Sequence, residues 1–223
     1  MTDKIKLQTV NFPRLNAKTD ADERARLVAT MARNIGKVLD AATDAEIADG
    51  CAWYGKARGF AFTLAKRFNV SLQTVAHVIA ALSPNCGWAR NQLDALTVLL
   101  ANADGKQSDA VKVSTYNANK VKAFQILATG KTEILGGLKT RAFADNIGNT
   151  ASDAVTIDFH AASVARGIRF TTQTAKPITA PQYNLISEAY RHAAQRAGLR
   201  AHEVQAITWC VWRRLHNVHA MHG

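Results

Sequence analysis

Apolar residues recur along most of this chain at the three- and four-residue spacing of a helix face, and no two segments alternate as paired strands would. Asp20 and Glu23 form a D-x-x-E capping box that opens a helix through about Leu39. Thr43 and Glu46 cap a second run, which passes through Trp53 and Tyr54. Ala61, Leu64, Ala65 and Phe68 share a helix face that Asn69 ends. Ser71 caps the next helix, with Leu72, Val75, Ala76 and Ile79 on one face, and Pro84 stops it because proline cannot continue the hydrogen-bond ladder. Leu93, Leu96, Thr97 and Leu100 mark a further helix. Residues 102–115 read as a polar connection with a short extended piece at Val111–Thr115. Helices then follow over Tyr116–Thr129, closed by Gly130, over Thr140–Ile147, and from Asp158. Pro181 suits the first turn of a helix that Gly198 closes, and Val204, Ile207, Thr208, Val211 and Leu215 lie on the last. The expected fold class is all-α, with about nine or ten helices after an irregular arm at residues 1–18.

A chain of 223 residues buries a large core and is most simply one domain, residues 1–223, with room for two lobes. Cys51, Cys86 and Cys210 form no CxxC or Cys/His pattern, which suggests a reducing compartment and excludes a four-cysteine iron–sulfur loop. No apolar run approaches the ~20 residues that span a bilayer. The polar N-terminus lacks the apolar core of a signal peptide, so the expectation is a soluble cytoplasmic protein without a membrane partner. The formal charge is +11, from 28 basic and 17 acidic residues, which favours a polyanionic partner such as nucleic acid. The basic residues are spread widely, so charge supports DNA without naming it.

The most informative stretch runs from Leu135 to Arg169. It opens on the Gly136–Gly137 pair followed by Lys139 and Thr140, and leads to Val-Thr-Ile-Asp-Phe-His, which starts a helix. Glycines reach positive φ cheaply and let the backbone approach a neighbour closely. Asp158 sits where its carboxylate would face the positive end of the helix dipole. Taken alone, these residues read either as a ligand-approaching loop with a functional aspartate or as a tight turn and an ordinary N-cap.

Leu135-Gly136-Gly137-Leu138-Lys139-Thr140 and Ile157-Asp158-Phe159-His160, with Asp158 standing 19 positions after Lys139, resemble the hairpin and the aspartate signature of the helix-hairpin-helix DNA glycosylase superfamily, the endonuclease III-like proteins. The hairpin here lacks the family's proline and one glycine spacing. The resemblance covers most of residues 60–216, with residues 1–59 as N-terminal arm and helices and the hairpin near 135–140. It implies two helical lobes with a cleft between them, binding double-stranded DNA and acting on an extruded nucleotide. Asp158 would be the catalytic carboxylate, stabilising charge at C1′ of the sugar, and Lys139 would either attack C1′ as an amine or meet a phosphate. Gly136, Gly137, Thr140 and Arg141 would grip the DNA backbone. His160 would support the catalytic helix.

Ala80-Ala81-Leu82-Ser83-Pro84-Asn85 resembles the family's Leu-Leu-Ser-Ala-Gln, whose last residue fills the gap left by the extruded base; Asn85 and Trp88 are then extrusion-site candidates. Ser83-Pro84-Asn85 reads equally as a helix-ending turn. Arg90, with Asn91, is placed to meet a phosphate or the extruded base. Trp209 and Trp212, at i and i+3, read as core, and Arg213 and Arg214 either meet DNA or favour the helix dipole. His216, His219 and His222 form no conventional metal spacing, so neither metal nor cofactor is expected. Three functions stay open: glycosidic cleavage of a modified or damaged base, with or without strand cutting; transfer of an amino acid or amine to an activated thymine derivative, as in phage base-hypermodification systems; and non-catalytic DNA binding.

Overall fold

Local signals set most of the helix boundaries in the computed structural model, which describes residues 5–12, 20–171 and 173–217. Among these, nine α-helices form: α1 (Ala21–Leu39), α2 (Asp44–Phe68), α3 (Leu72–Leu82), α4 (Trp88–Ala103), α5 (Asn117–Thr129), α6 (Leu138–Gly148), α7 (Phe159–Arg166), α8 (Ala180–Ala197) and α9 (Ala201–Leu215). Short 3-10 turns stand at Ser108–Ala110 and Thr132–Ile134, and no strand occurs among the described residues.

Side-chain caps explain the starts of α1, α2, α3, α7 and α8. Thr43 and Glu46 close a reciprocal box, Thr43 N–H donating to Glu46 Oε2 (2.9 Å) and Glu46 N–H to Thr43 Oγ1 (3.3 Å). Ser71 Oγ accepts from Thr74 N–H at 3.0 Å, and Thr179 pairs with Gln182 in a box that places Pro181 in the first turn of α8. Asp20 caps α1 by accepting from Asp22 N–H at 3.3 Å, two residues on rather than through the expected box with Glu23. Gly130 and Gly198 close α5 and α8 in the left-handed conformation.

Three expectations change. The runs around Trp53 and from Ala61 are one 25-residue helix, α2, which continues through Gly55 and Gly59. On α4 the expected stripe faces outward, Leu93 being 56% and Leu100 40% exposed, while Asn91, Asp94, Ala95, Val98 and Leu99 are buried. That helix carries two adjacent apolar arcs, and the buried side chains of Asn91 and Asp94 commit the second one to the core. Val111 has extended backbone, but the piece at Val111–Thr115 pairs with no strand.

Two compact units emerge, one from the residues up to Trp53 together with those from Asp153, the other from Tyr54–Ser152. In the first, α1 packs on α7, α8 and α9 around Met31, Ile35, Ile157, Val164, Ile186 and Ile207. Residues 5–12 are irregular yet built into this unit. Asn34, 1% exposed, accepts from Gln8 N–H (2.9 Å) and donates to Gln8 O (2.7 Å) and Ala165 O (2.9 Å). Val10 N–H donates to Arg166 O at 2.8 Å, and Arg166 Nε returns to Val10 O at 3.0 Å. The Arg166 guanidinium lies over the rings of Phe12 and Phe170, and burial lowers its pKa. Arg214 holds the start of α2 by a two-pronged contact to Glu46 (2.8 and 3.1 Å), and this hydrogen-bonded guanidinium lowers the Glu46 pKa.

In the second unit α3 is buried from Thr74 to Leu82 and packs against α4, α5 and α6. Tyr54 meets Phe143 edge to face at 6.2 Å. Arg58 and Gln73 both donate to the Gly148 carbonyl, satisfying the end of α6.

Candidate catalytic carboxylate and nucleic-acid interface

Asp158 stands at the N-cap of α7, its Oδ1 accepting from Ala161 N–H at 2.7 Å. The segment leading to it, Val155–Ile157, is buried and lies in neither helix nor strand, so its backbone groups need other partners. Tyr183 of α8 supplies them, its hydroxyl donating to Val155 O (2.6 Å) and accepting from Ile157 N–H (3.3 Å). Tyr190, two turns further along α8, donates to Ala161 O at 3.3 Å. Burial pushes the Tyr190 phenol well above its ordinary range, and the charge of Asp158 pushes the same way. His160 stacks its ring on Phe159, 4.0 Å between centroids, in the first turn of α7. Asp158 and His160 belong to the first unit.

The remaining candidates belong to the second unit. Gly136 and Gly137 precede α6, and neither takes a positive φ, so left-handed freedom is not what the pair provides. Its contribution is bare, exposed backbone. A Cβ at Gly136 would meet nothing within 4 Å, and one at Gly137 only the Thr140 hydroxyl at 3.1 Å. Gly137 leaves the N-terminus of α6 without a side-chain cap. Lys139 and Arg141 are exposed in its first turn, and Thr140 Oγ1 donates to Gly137 O at 3.0 Å. The helix begins at Leu138, two residues before its expected start.

Asn85 is exposed with φ +56°, a conformation asparagine tolerates better than most residues, and its amide donates to the Tyr116 hydroxyl. Tyr116 itself is 60% exposed. Trp88 opens α4 with its ring edge-on to Phe60 at 6.0 Å. Arg90 is exposed and donates to Ser114 Oγ and to Asp94 Oδ1 (3.1 Å). Asn91, 1% exposed, faces inward and donates to Ile79 O at 3.0 Å, so it joins α4 to α3 and is not available to a phosphate or base.

What spacing did not indicate is how the two loops carrying Asn85 and Tyr116 are held together. Asp94, 1% exposed, accepts from Ser114 N–H at 2.8 Å; Thr115 Oγ1 donates to Pro84 O at 2.9 Å; and Lys120 Nζ, buried, donates to Val111 O at 2.7 Å. The loops therefore present Asn85, Arg90 and Tyr116 as one patch at the N-terminal end of α5. The Gly136–Gly137 turn follows its other end, roughly 20 Å away for a 13-residue helix. Burial, with Asp94 adding to it, pushes the neighbouring Cys86 thiol up to about 11, so this cysteine behaves as a small apolar residue rather than a nucleophile.

Elsewhere, Trp212 is core as expected, whereas Trp209 is half-buried under Arg213, 4.4 Å from guanidinium to ring centroid. Arg214 is taken up by Glu46 and by Ala41 O. His216 stacks on Trp212, and His219 and His222 lie outside the described residues. Among the described residues no group of three or more His, Cys, Asp or Glu is placed to hold a metal ion, and no helix is long and apolar enough to cross a membrane.

These features define an all-helical protein with a helix-capping aspartate in one unit and an exposed glycine turn in the other. The chain belongs to a family described as "Family of unknown function (DUF7178)", which it matches over residues 17–216. No curated protein and no solved structure matches it.

Proposed function

We propose that this protein is a DNA-binding enzyme of the helix-hairpin-helix glycosylase type that cleaves the N-glycosidic bond of an extruded, modified or damaged nucleotide. The observation that carries the reading is Asp158: the residue matched to the family's catalytic aspartate stands at the N-cap of α7 on a braced backbone, with Oδ1 as the capping oxygen. In the reaction, the C1′–N bond breaks with its electron pair leaving on the base. Positive charge grows on the sugar, Asp158 stabilises it, and water adds to C1′ as the carboxylate takes its proton. The base acquires a proton from solvent.

DNA binding falls to the second unit. Residues 54–152 carry 12 Lys and Arg against 5 Asp and Glu, a concentration of positive charge that phosphate contacts would use. The Gly136–Gly137 turn, with Lys139, Thr140 and Arg141, takes the phosphates of one strand, since bare backbone and exposed cations grip without reading sequence. Lys139 is given the phosphate role because it is exposed, whereas an attacking amine works in a desolvated pocket. Asn85 fills the gap left by the extruded base, Tyr116 stacks against the exposed neighbouring base, and Trp88 and Arg90 flank them.

The deciding experiment incubates the purified protein with duplexes carrying a panel of modified bases and follows the mass of the DNA, with and without free amines. Loss of a base establishes the glycosylase and names its substrate. A gain of mass replaces hydrolysis by amine transfer, and unchanged DNA with salt-sensitive binding leaves a non-catalytic module.

The hairpin has its own test. Gly136→Ala adds a methyl group that meets no protein atom, so melting is expected to stay where it is. Fluorescence anisotropy on a labelled duplex should show affinity reduced about tenfold, because the methyl stands where a phosphate must approach the backbone. Unchanged affinity would remove the hairpin from the interface.

A further inference from the structure

From the hydrogen bonds that flank Asp158, we infer that Tyr183 is a positioning residue, its hydroxyl fixing the backbone from which the carboxylate projects. The inference rests on the reading of Asp158 as the reactive group.

The Val155 carbonyl and the Ile157 amide meet at one oxygen, the Tyr183 phenol, which partners both in a segment that belongs to no helix or strand. It gives its proton to Val155 O at 2.6 Å and receives the Ile157 N–H at 3.3 Å. Ile157 is the residue immediately before Asp158, so rotation of this peptide would swing the carboxylate. On the other side of Asp158, Tyr190 donates to Ala161 O, and Ala161 is the residue whose N–H caps the carboxylate. Tyr183 and Tyr190 lie seven residues apart and so share one face of α8. A third tie from the same helix is Arg191 to Asp153, at 2.7 Å, but both partners are solvent-exposed and the contact contributes little. Tyr183 is the member of this set that is both buried and bonded to the residue next to Asp158.

The test compares Tyr183→Phe with Ile186→Val, a trim of the same helix core that leaves the hydroxyl in place. Two readouts are taken. By nuclear magnetic resonance, Tyr183→Phe should speed hydrogen exchange of the Ile157 amide about tenfold and shift the Ala161 amide resonance, which reports the bond to Asp158. Ile186→Val should leave both as in the unaltered protein. On a cleavable duplex, Tyr183→Phe should lower kcat about 10²-fold with KM within about twofold, since a displaced group costs turnover rather than binding. Unperturbed Ile157 and Ala161 amides would overturn the inference. Perturbed amides with unchanged kcat would also overturn it, leaving Tyr183 a merely structural residue. If the unaltered protein releases no base from any duplex, the proposed function falls, and the amide readout alone decides whether Tyr183 places Asp158.

Discussion

Asp158→Asn is expected to abolish base release, by about 10³-fold in single-turnover rate, while leaving the fold intact. Asparagine is as good an N-cap as aspartate, and its side-chain oxygen can still accept from the Ala161 N–H that Asp158 holds at 2.7 Å. Melting should therefore change little. In the proposed reaction, however, a side chain without charge would neither offset the positive sugar nor accept a proton from water. Duplex affinity should hold or rise slightly, since one negative charge near the DNA is removed. Loss of turnover with retained melting and binding assigns Asp158 to chemistry. Full activity in the variant would mean that the aspartate is only the helix cap that local sequence already explains.

Gly50→Ala is expected to destabilise the first unit by about 1–3 kcal/mol, lowering the melting temperature by several degrees. Gly50 lies where α2 crosses α9, and a Cβ there would stand 2.4 Å from Ile207 Cγ1 and 2.7 Å from its Cα and N. A flexible side-chain end can yield, but the backbone of a packed helix cannot without moving α9. Gly59 sits on the same helix with nothing within 4 Å of its would-be Cβ, so Gly59→Ala should have the opposite sign. It is expected to stabilise by about 0.5–1 kcal/mol, because alanine loses less backbone freedom in a helix than glycine does. Opposite shifts from two identical substitutions, read by thermal melting, separate tertiary contact from helix propensity. Equal shifts would deny the close crossing at Ile207.

Much of the secondary structure was legible because its determinants act within three or four residues. Ser71, Gly130 and Gly198 mark helix ends through bonds to their own neighbours, Pro181 does so through its fixed φ, and Asp158 caps α7 as Ser71 caps α3. The position of the candidate carboxylate thus followed from local sequence. Its support did not, because Tyr183 lies 26 and 28 residues beyond the backbone groups it holds. Periodicity likewise marked α4 as a helix but chose its outer face. Both arcs of that helix are apolar, and the choice between them was made elsewhere: Asn91 reaches back to Ile79, and Asp94 forward to Ser114.

Local sequence is enough for an all-helical chain, most of its helix ends and the place of one capping aspartate, since backbone dihedrals and caps act at short range. Tertiary contacts alone join residues 5–12 and α1 to the C-terminal helices in one unit, with Asn34 bonded to Ala165 across 131 residues. They also leave no room for a side chain at Gly50 and bring the Tyr183 hydroxyl to Val155 and Ile157. Burial and buried hydrogen bonds pair groups by proximity in space, and proximity between distant residues exists only after the chain has folded.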